Sequence, residues 1–131
     1  MIFRYIILYV DDVAAAIGFY ERAFGLTCAF LHEGGDYGEL ATGGTKLAFS
    51  STALMRQLGK TPGKPRPDAP VFEIAFETDD VPAAFDRAVA AGAVPVTAPS
   101  NQPWGQVVSY VRDPDGYLVE ICSPVQLPSA G

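Results

Sequence analysis

Histidine is nearly absent from this chain: His32 is the only one in 131 residues. It stands in LHEGGDY beside a Gly-Gly turn, with no second histidine or apposed cysteine nearby in the sequence, and reads as an exposed loop-edge residue. Cysteine is almost as scarce. Cys28 and Cys122 lie far apart, match neither a disulfide framework nor a CxxC pair, and read as small core residues in a reducing compartment. Basic residues number 9 against 15 acidic ones, a formal net charge of −6, which opposes nucleic acid and anionic lipid as partners and favours neutral or cationic ones. No stretch approaches the roughly 20 apolar residues that cross a bilayer. The opening MIFRYIILYV is interrupted by Arg4, followed at once by Asp11 and Asp12, and lacks a cleavage-type ending, so it reads as a first strand rather than a signal peptide. These absences lead to the expectation of a soluble, cytoplasmic protein. There is also no GxSxG elbow and no cysteine in a His-paired or Gly-rich context, which leaves covalent catalysis without a candidate. Gly34-Gly35 and Gly43-Gly44 have neither the lysine nor the following helix of a phosphate loop, and read as turns.

What is present is enough apolar material, 49% of residues, for one domain spanning 1–131. Periodicity predicts a strand at Phe3–Val10 and an Asp-capped helix at Asp12–Phe24 with Val13, Ala16, Ile17, Tyr20 and Phe24 on its apolar face, closed by Gly25. Strands at Cys28–His32, Tyr37–Ala41 and Lys46–Ser51 follow. The order then repeats: strand Phe72–Thr78, helix Asp80–Ala91 closed by Gly92, and strands near Val94–Thr97, Gln106–Arg112 and Tyr117–Cys122. YIILYVDDVAAAI (Tyr5–Ile17) overlays EIAFETDDVPAAF (Glu73–Phe85), and GTKLAFSS (Gly44–Ser51) overlays GYLVEICS (Gly116–Ser123), at slightly different offsets. Two βαβββ modules, 1–58 and 71–125, are therefore expected around a Pro- and Gly-rich linker at 59–70 whose Lys60, Lys64 and Arg66 are solvated. The fold class is α+β. Each half is too small to bury both faces of its own sheet, so the expectation is a cupped mixed sheet in pseudo-twofold repeat, with helices outside and a concave surface within.

Strand alternation assigns Ile6, Leu8, Val10, Val119 and Ile121 to the helices and turns Tyr5, Ile7, Tyr9, Glu73, Ala75, Glu77, Leu118, Glu120 and Cys122 toward the cavity. The overlays make Tyr5 equivalent to Glu73 and Ala48 equivalent to Glu120. A buried unpaired carboxylate is costly, so Glu73 and Glu120 must border water, a ligand, a hydrogen-bonding partner, a metal, or each other with a shared proton. They are candidates for a general base or for anchors of a cationic or hydroxylated ligand, with a vestigial pair satisfied by Tyr5 and water as the plainer reading. Tyr5 and Tyr9 read as hydroxyl partners of the carboxylates or as aromatic lining. Trp104, in QPWGQ, reads as the stacking wall of a ligand pocket or as a surface or dimer-packing residue.

ILYVDDVAAAIGFYERAFGL, FEIAFETDDVPAAFDRAVAAGA and WGQVVSYVRDPDGYLVEICSP resemble the vicinal oxygen chelate superfamily of glyoxalases, bleomycin-resistance proteins and extradiol dioxygenases, and the similarity covers nearly the whole chain. The resemblance implies paired βαβββ modules forming a cup, a homodimer, and a divalent metal in the enzymatic branches. The metal-ligand positions it implies fall on Tyr5, Ala48, Glu73 and Glu120, of which only Glu120 matches the usual ligand type. His32 falls on none of them. The expected function is accordingly binding of a small organic molecule, cationic or aromatic, in the cup without a transition metal, using Tyr5, Tyr9, Glu73, Glu120 and Trp104. The alternative is a metal-dependent glyoxalase-like lyase or isomerase, with Glu73 and Glu120 as base and as ligands to a divalent ion such as Mg, Mn, Ni or Zn. A scaffold with an empty pocket would explain the same residues as relics.

Overall fold

Each Asp-Asp-Val segment starts a helix, and in each the second aspartate is the cap. The computed structural model describes residues 1–125, so the end of the expected 1–131 domain lies outside the described residues. The chain divides into two compact units, Met1–Lys64 and Pro65–Gly131, at a boundary inside the expected linker.

The first unit runs β1 (Tyr5–Val10), α1 (Val13–Phe24), β2 (Cys28–Leu31), β3 (Tyr37–Leu40), β4 (Lys46–Ser51) and α2 (Thr52–Gln57). The Asp12 carboxylate accepts a hydrogen bond from the Ala15 N–H at 3.0 Å, satisfying a donor that a helix start leaves open. Gly25 ends α1 in the left-handed region, φ 69°. The sheet order is β1-β4-β3-β2, with β1 and β4 parallel and the other pairs antiparallel. Val13, Ala16, Ile17, Phe19, Tyr20 and Ala23 of α1 are buried, as are Leu8, Val10, Leu40, Leu47 and Phe49 of the sheet. Side chains of this kind stabilise by about 1.5–3 kcal/mol each when fully buried. Phe19 and Ala23 lie in this core while Phe24, expected there, is half-buried at its margin, its ring 5.2 Å from that of Tyr20. Tyr20 also packs on Phe49, ring centroids 5.2 Å apart. At Gly38 a Cβ would run into Cδ1 of Ile17, so a side chain on β3 is excluded where α1 crosses it.

Helix α2 is absent from the sequence-based expectation. It is too short to show a period, but it is bracketed by chemistry: Ser51 Oγ accepts from the Leu54 N–H at 3.0 Å, and Gly59 (φ 88°) closes it as the Gly59 N–H bonds Arg56 O and the Lys60 N–H bonds Met55 O, each at 3.0 Å. Cys28, expected in the core, is half-buried on β2.

The second unit runs β5 (Ile74–Glu77), α3 (Val81–Ala90), β6 (Val94–Asn101), β7 (Val107–Arg112) and β8 (Leu118–Cys122), with sheet order β5-β8-β7-β6. Asp80 caps α3 by accepting from the Ala83 N–H at 3.1 Å. Strand β6 extends to Asn101 rather than Thr97. Pro95 and Pro99 interrupt its pattern, yet as an edge strand it tolerates them, with register shifts at Pro95/Thr97 and Thr97/Ser100. Strand β5 is shorter than expected, because its ladder begins at Ile74↔Val119, which leaves Glu73 one residue outside it.

The sheets repeat one pattern rung for rung. Ile7 pairs with Ala48 in the first, and Ala75 pairs with Glu120 in the second. The two sequence overlays, although offset differently, therefore converge on one rung, and the inserted residues lie between the strands that form it.

Candidate functional site

In β8, Val119 and Ile121 are fully buried on the side covered by α3, which leaves Glu120 and Cys122 on the helix-free face. The register places Ala75 on one side of Glu120 and Tyr110 on the other, and sets Glu77 and Val108 beside Cys122. What holds β8 in this register is the turn before it. The buried Asp113 carboxylate accepts from the Asp115 and Tyr117 N–H groups at 3.0 and 2.9 Å, and Gly116 supplies the positive φ of 99°.

Glu73, at the mouth of β5, meets this cluster. Its carboxyl group lies close enough to raise both the Glu120 carboxyl and the Tyr110 hydroxyl. Burial first, then the hydrogen bond and charge of Glu73, push the Glu120 carboxyl above the ordinary carboxylate range, while its hydrogen bond to Cys122 opposes the rise. Burial, followed by the charges of Glu120 and Glu73, raises the Tyr110 hydroxyl. Burial, followed by the charges of Glu120 and Glu77, raises the Cys122 thiol. The result is a short line of polar groups along the helix-free face of the sheet.

Trp104 joins this line indirectly. It is 57% exposed in the turn between β6 and β7, and its indole N–H donates to Gln106 Oε1 at 2.7 Å. Gln106 in turn donates to Ser123 O at 3.0 Å and stands near the Cys122 thiol, whose rise it opposes and which itself donates to the Phe76 carbonyl at 3.6 Å. Three of the residues singled out in the sequence, Glu73, Glu120 and Trp104, thus belong to one connected cluster in the second unit. Tyr110 and Gln106 are the members that sequence reasoning missed. Alternation along β7 could have found Tyr110, because Ser109 and Val111, its neighbours, are the fully buried ones.

Tyr5 and Tyr9 stand on β1 in the first unit, on the face opposite α1. Tyr5 is electrostatically close to Tyr37, whose hydroxyl donates to Glu39 Oε2 at 2.8 Å. Burial and Glu39 push the Tyr37 hydroxyl up strongly. Lys60 Nζ donates to the Tyr9 hydroxyl at 3.4 Å and lies 5.6 Å from its ring centroid. Ala48 is wholly buried and offers a methyl group. His32 is exposed, and its Nδ1 accepts from the Gly34 N–H at 3.2 Å.

The residues present do not fit the metal centre implied by the resemblance. Its positions hold a tyrosine, an alanine and two carboxyl groups with no histidine among them, and among the described residues no three His, Cys, Asp or Glu side chains converge to hold one ion.

Two βαβββ units with the same parallel pairing of first and last strands define a repeated α+β fold of the vicinal-oxygen-chelate class. The sequence model of the Glyoxalase/Bleomycin resistance protein/Dioxygenase superfamily matches residues 2–121, and the chain belongs to that superfamily. An uncharacterized protein of Mycobacterium bovis is 32% identical over 123 residues, 91% of this chain and 81% of its own length. The crystal structure of a glyoxalase-related enzyme from Fulvimarina pelagi is 25% identical with a TM-score of 0.79, over 92% of this chain and 86% of that one. A glyoxalase/bleomycin resistance protein/dioxygenase family enzyme from Burkholderia phytofirmans has the same fold at 22% identity and a TM-score of 0.77, over 95% and 98% of the two chains. No helix among the described residues is long and apolar enough to cross a membrane.

Proposed function

We propose that this chain binds a small organic molecule on the helix-free face of its second sheet, with Glu73 and Glu120 as polar anchors, Tyr110 beside them and Trp104 at the rim, and that it does so without a transition metal. The observation that carries this reading is the convergence of Glu73 on Glu120 beside Tyr110, close enough that burial and Glu73 together hold the Glu120 carboxyl above its ordinary range. A carboxyl pair beside a tyrosine hydroxyl presents a donor and several acceptors at once, which suits a hydroxyl or amine on the ligand, while an exposed indole suits an apolar or aromatic body. In this reading the protein is a cytoplasmic homodimer, tested by light scattering of the purified protein.

The binding test uses protein purified without a histidine tag, native and Glu120→Gln, with metal analysis and amide NMR during titration with aromatic alcohols and amines. The expected result is substoichiometric metal in both, with shifts at Tyr110, Glu120 and Trp104 that weaken in the variant. Stoichiometric transition metal lost in Glu120→Gln would replace this reading with that of a metal-dependent lyase or isomerase. Silence toward every probe would reject the binding site.

A further inference from the structure

We infer that His32 is an acid-released latch at the tip of the β2–β3 hairpin: as a neutral imidazole it holds the Gly34 N–H, and as an imidazolium it lets go of Gly34 and turns to the Asp36 carboxylate, which passes the change to the serine that caps α2. The device belongs to the first unit and does not depend on the Glu73–Glu120 reading.

The turn joining the two strands is held in two ways. Its backbone frame does not titrate: the His32 N–H donates to Tyr37 O and the Gly35 N–H to His32 O, each at 2.8 Å, and Gly35 supplies the positive φ of 75°. Its side-chain bond does. Nδ1 of His32 accepts from the Gly34 N–H at 3.2 Å, and a ring nitrogen accepts only while it carries no proton. Histidine is the residue type that changes charge between about pH 5 and 8, and this chain has one, so the response has a single origin. In an imidazolium both nitrogens are donors, so on protonation Gly34 loses its partner and the ring requires an acceptor.

Asp36 is the acceptor placed to receive it. A Cβ built on Gly34 would lie 3.5 Å from His32 Nδ1 and 4.0 Å from Asp36 Oδ2, so the ring and the carboxylate border the same small gap. The other carboxylate oxygen, Oδ1, already accepts from the Ser51 hydroxyl at 2.8 Å, and the Asp36 carbonyl accepts the Ser51 N–H at 2.8 Å. The same Ser51 Oγ accepts from the Leu54 N–H at 3.0 Å and so caps α2. A cation drawn to Oδ2 therefore pulls on the residue that holds the cap. The other groups around the ring bring no competing cation. Glu33 follows it in the chain, Phe30 of β2 meets it edge-on with ring centroids 6.4 Å apart, and Tyr37 of β3 gives its hydroxyl to Glu39. The charges in the turn and beside it are thus the carboxylates of Glu33, Asp36 and Glu39, and of these Asp36 alone is bonded to Ser51.

The test uses the full chain and NMR between about pH 8 and 5, reading the imidazole nitrogens, the amide shifts, and amide exchange corrected for its intrinsic dependence on pH. The expected result is a neutral ring with its proton on Nε2, Gly34 protection that falls about fivefold as the ring charges, and Ser51 and Leu54 amide shifts that follow the imidazole midpoint. His32→Asn sets an amide oxygen near the place of Nδ1 and takes up no proton, so it should keep Gly34 protected throughout and flatten the response at Ser51 and Leu54. Asp36→Asn should keep the Gly34 release and lose the response at Ser51 and Leu54, while Glu33→Gln should change neither. Thermal unfolding of each variant confirms that a lost response is not a lost fold. The inference is overturned by a neutral ring protonated at Nδ1, by Gly34 protection indifferent to pH, or by Ser51 and Leu54 shifts that ignore the imidazole midpoint or persist in His32→Asn.

Discussion

Tyr110 and Glu120 are register partners across β7 and β8, and on the corresponding rung of the first unit Glu39 is the partner of Ala48. The acid has changed strands between the two halves. In the first it is carried by β3 and receives the Tyr37 hydroxyl; in the second it is carried by β8 and stands beside Tyr110. Both arrangements keep the carboxyl on the helix-free face, so the swap leaves the core untouched. Their chemistry differs, because only the second adds another carboxyl group, Glu73, to the cluster.

The Glu73–Glu120 pair makes stability depend on pH in a defined direction. Because Glu120 titrates above its ordinary value of 4.5 in the folded chain, that chain retains a proton which the unfolded chain has already released. Folding takes up this proton, so the contribution of Glu120 to stability falls as pH rises from about 4.5 through the raised value. Gln cannot lose a proton and imitates the protonated carboxyl toward Glu73. Urea midpoints measured at about pH 4, 6 and 8 should show Glu120→Gln gaining on the native chain as pH rises, with the two converging at the acid end. Parallel curves would show that Glu120 does not titrate above its ordinary value.

Asp113 shapes the strand that carries Glu120. It is 2% exposed and accepts two backbone N–H groups. Asp113→Ala leaves both donors without that acceptor and should cost about 2–4 kcal/mol in chemical denaturation. Asp113→Asn keeps an oxygen at the same place and should cost roughly half as much.

Gly38 marks the closest approach of α1 to its sheet. Gly38→Ala should destabilise by about 1–3 kcal/mol through overpacking against Ile17, Leu31 and the Phe30 carbonyl. Shortening Ile17 to Val removes the colliding Cδ1, so the double variant should recover part of the loss. Gly44→Ala, where nothing lies within 4 Å and φ is not positive, should stay within about 0.5 kcal/mol. Equal losses at both glycines would point to backbone strain instead of helix packing.

The fold was legible because caps and alternation are local. Asp12 and Asp80 announce their helices within three residues, and the Gly116 turn announces β8, so the repeat follows from the chain alone. Helix α2 escaped because six residues between Ser51 and Leu58 are too few for a period, and β6 was cut short because its prolines imitate a strand end. In the candidate site, Glu73 and Glu120 were legible as polar interruptions of apolar strands. Tyr110 was legible only as the outward step in the alternation of β7 and Glu39 only as a surface acid, since the role of each depends on its partner across a rung, and pairing between strands distant in sequence is not written in either strand by itself.

Cys122 offers a probe of that cluster. Burial is the main cause of its raised thiol, and the Glu120 charge is the next. In a Cys28→Ser background, the pH dependence of alkylation by iodoacetamide should place the Cys122 inflection above that of free cysteine. Glu120→Gln should move it down, because a neutral amide no longer opposes the thiolate. Glu77→Gln should move it down less, since the Glu77 charge ranks below that of Glu120 among the causes. Neither variant should bring it to the free value, because burial is untouched by both. An inflection indifferent to Glu120 would separate the thiol from the carboxyl pair, and with it the path that joins Trp104 through Gln106 to the proposed anchors.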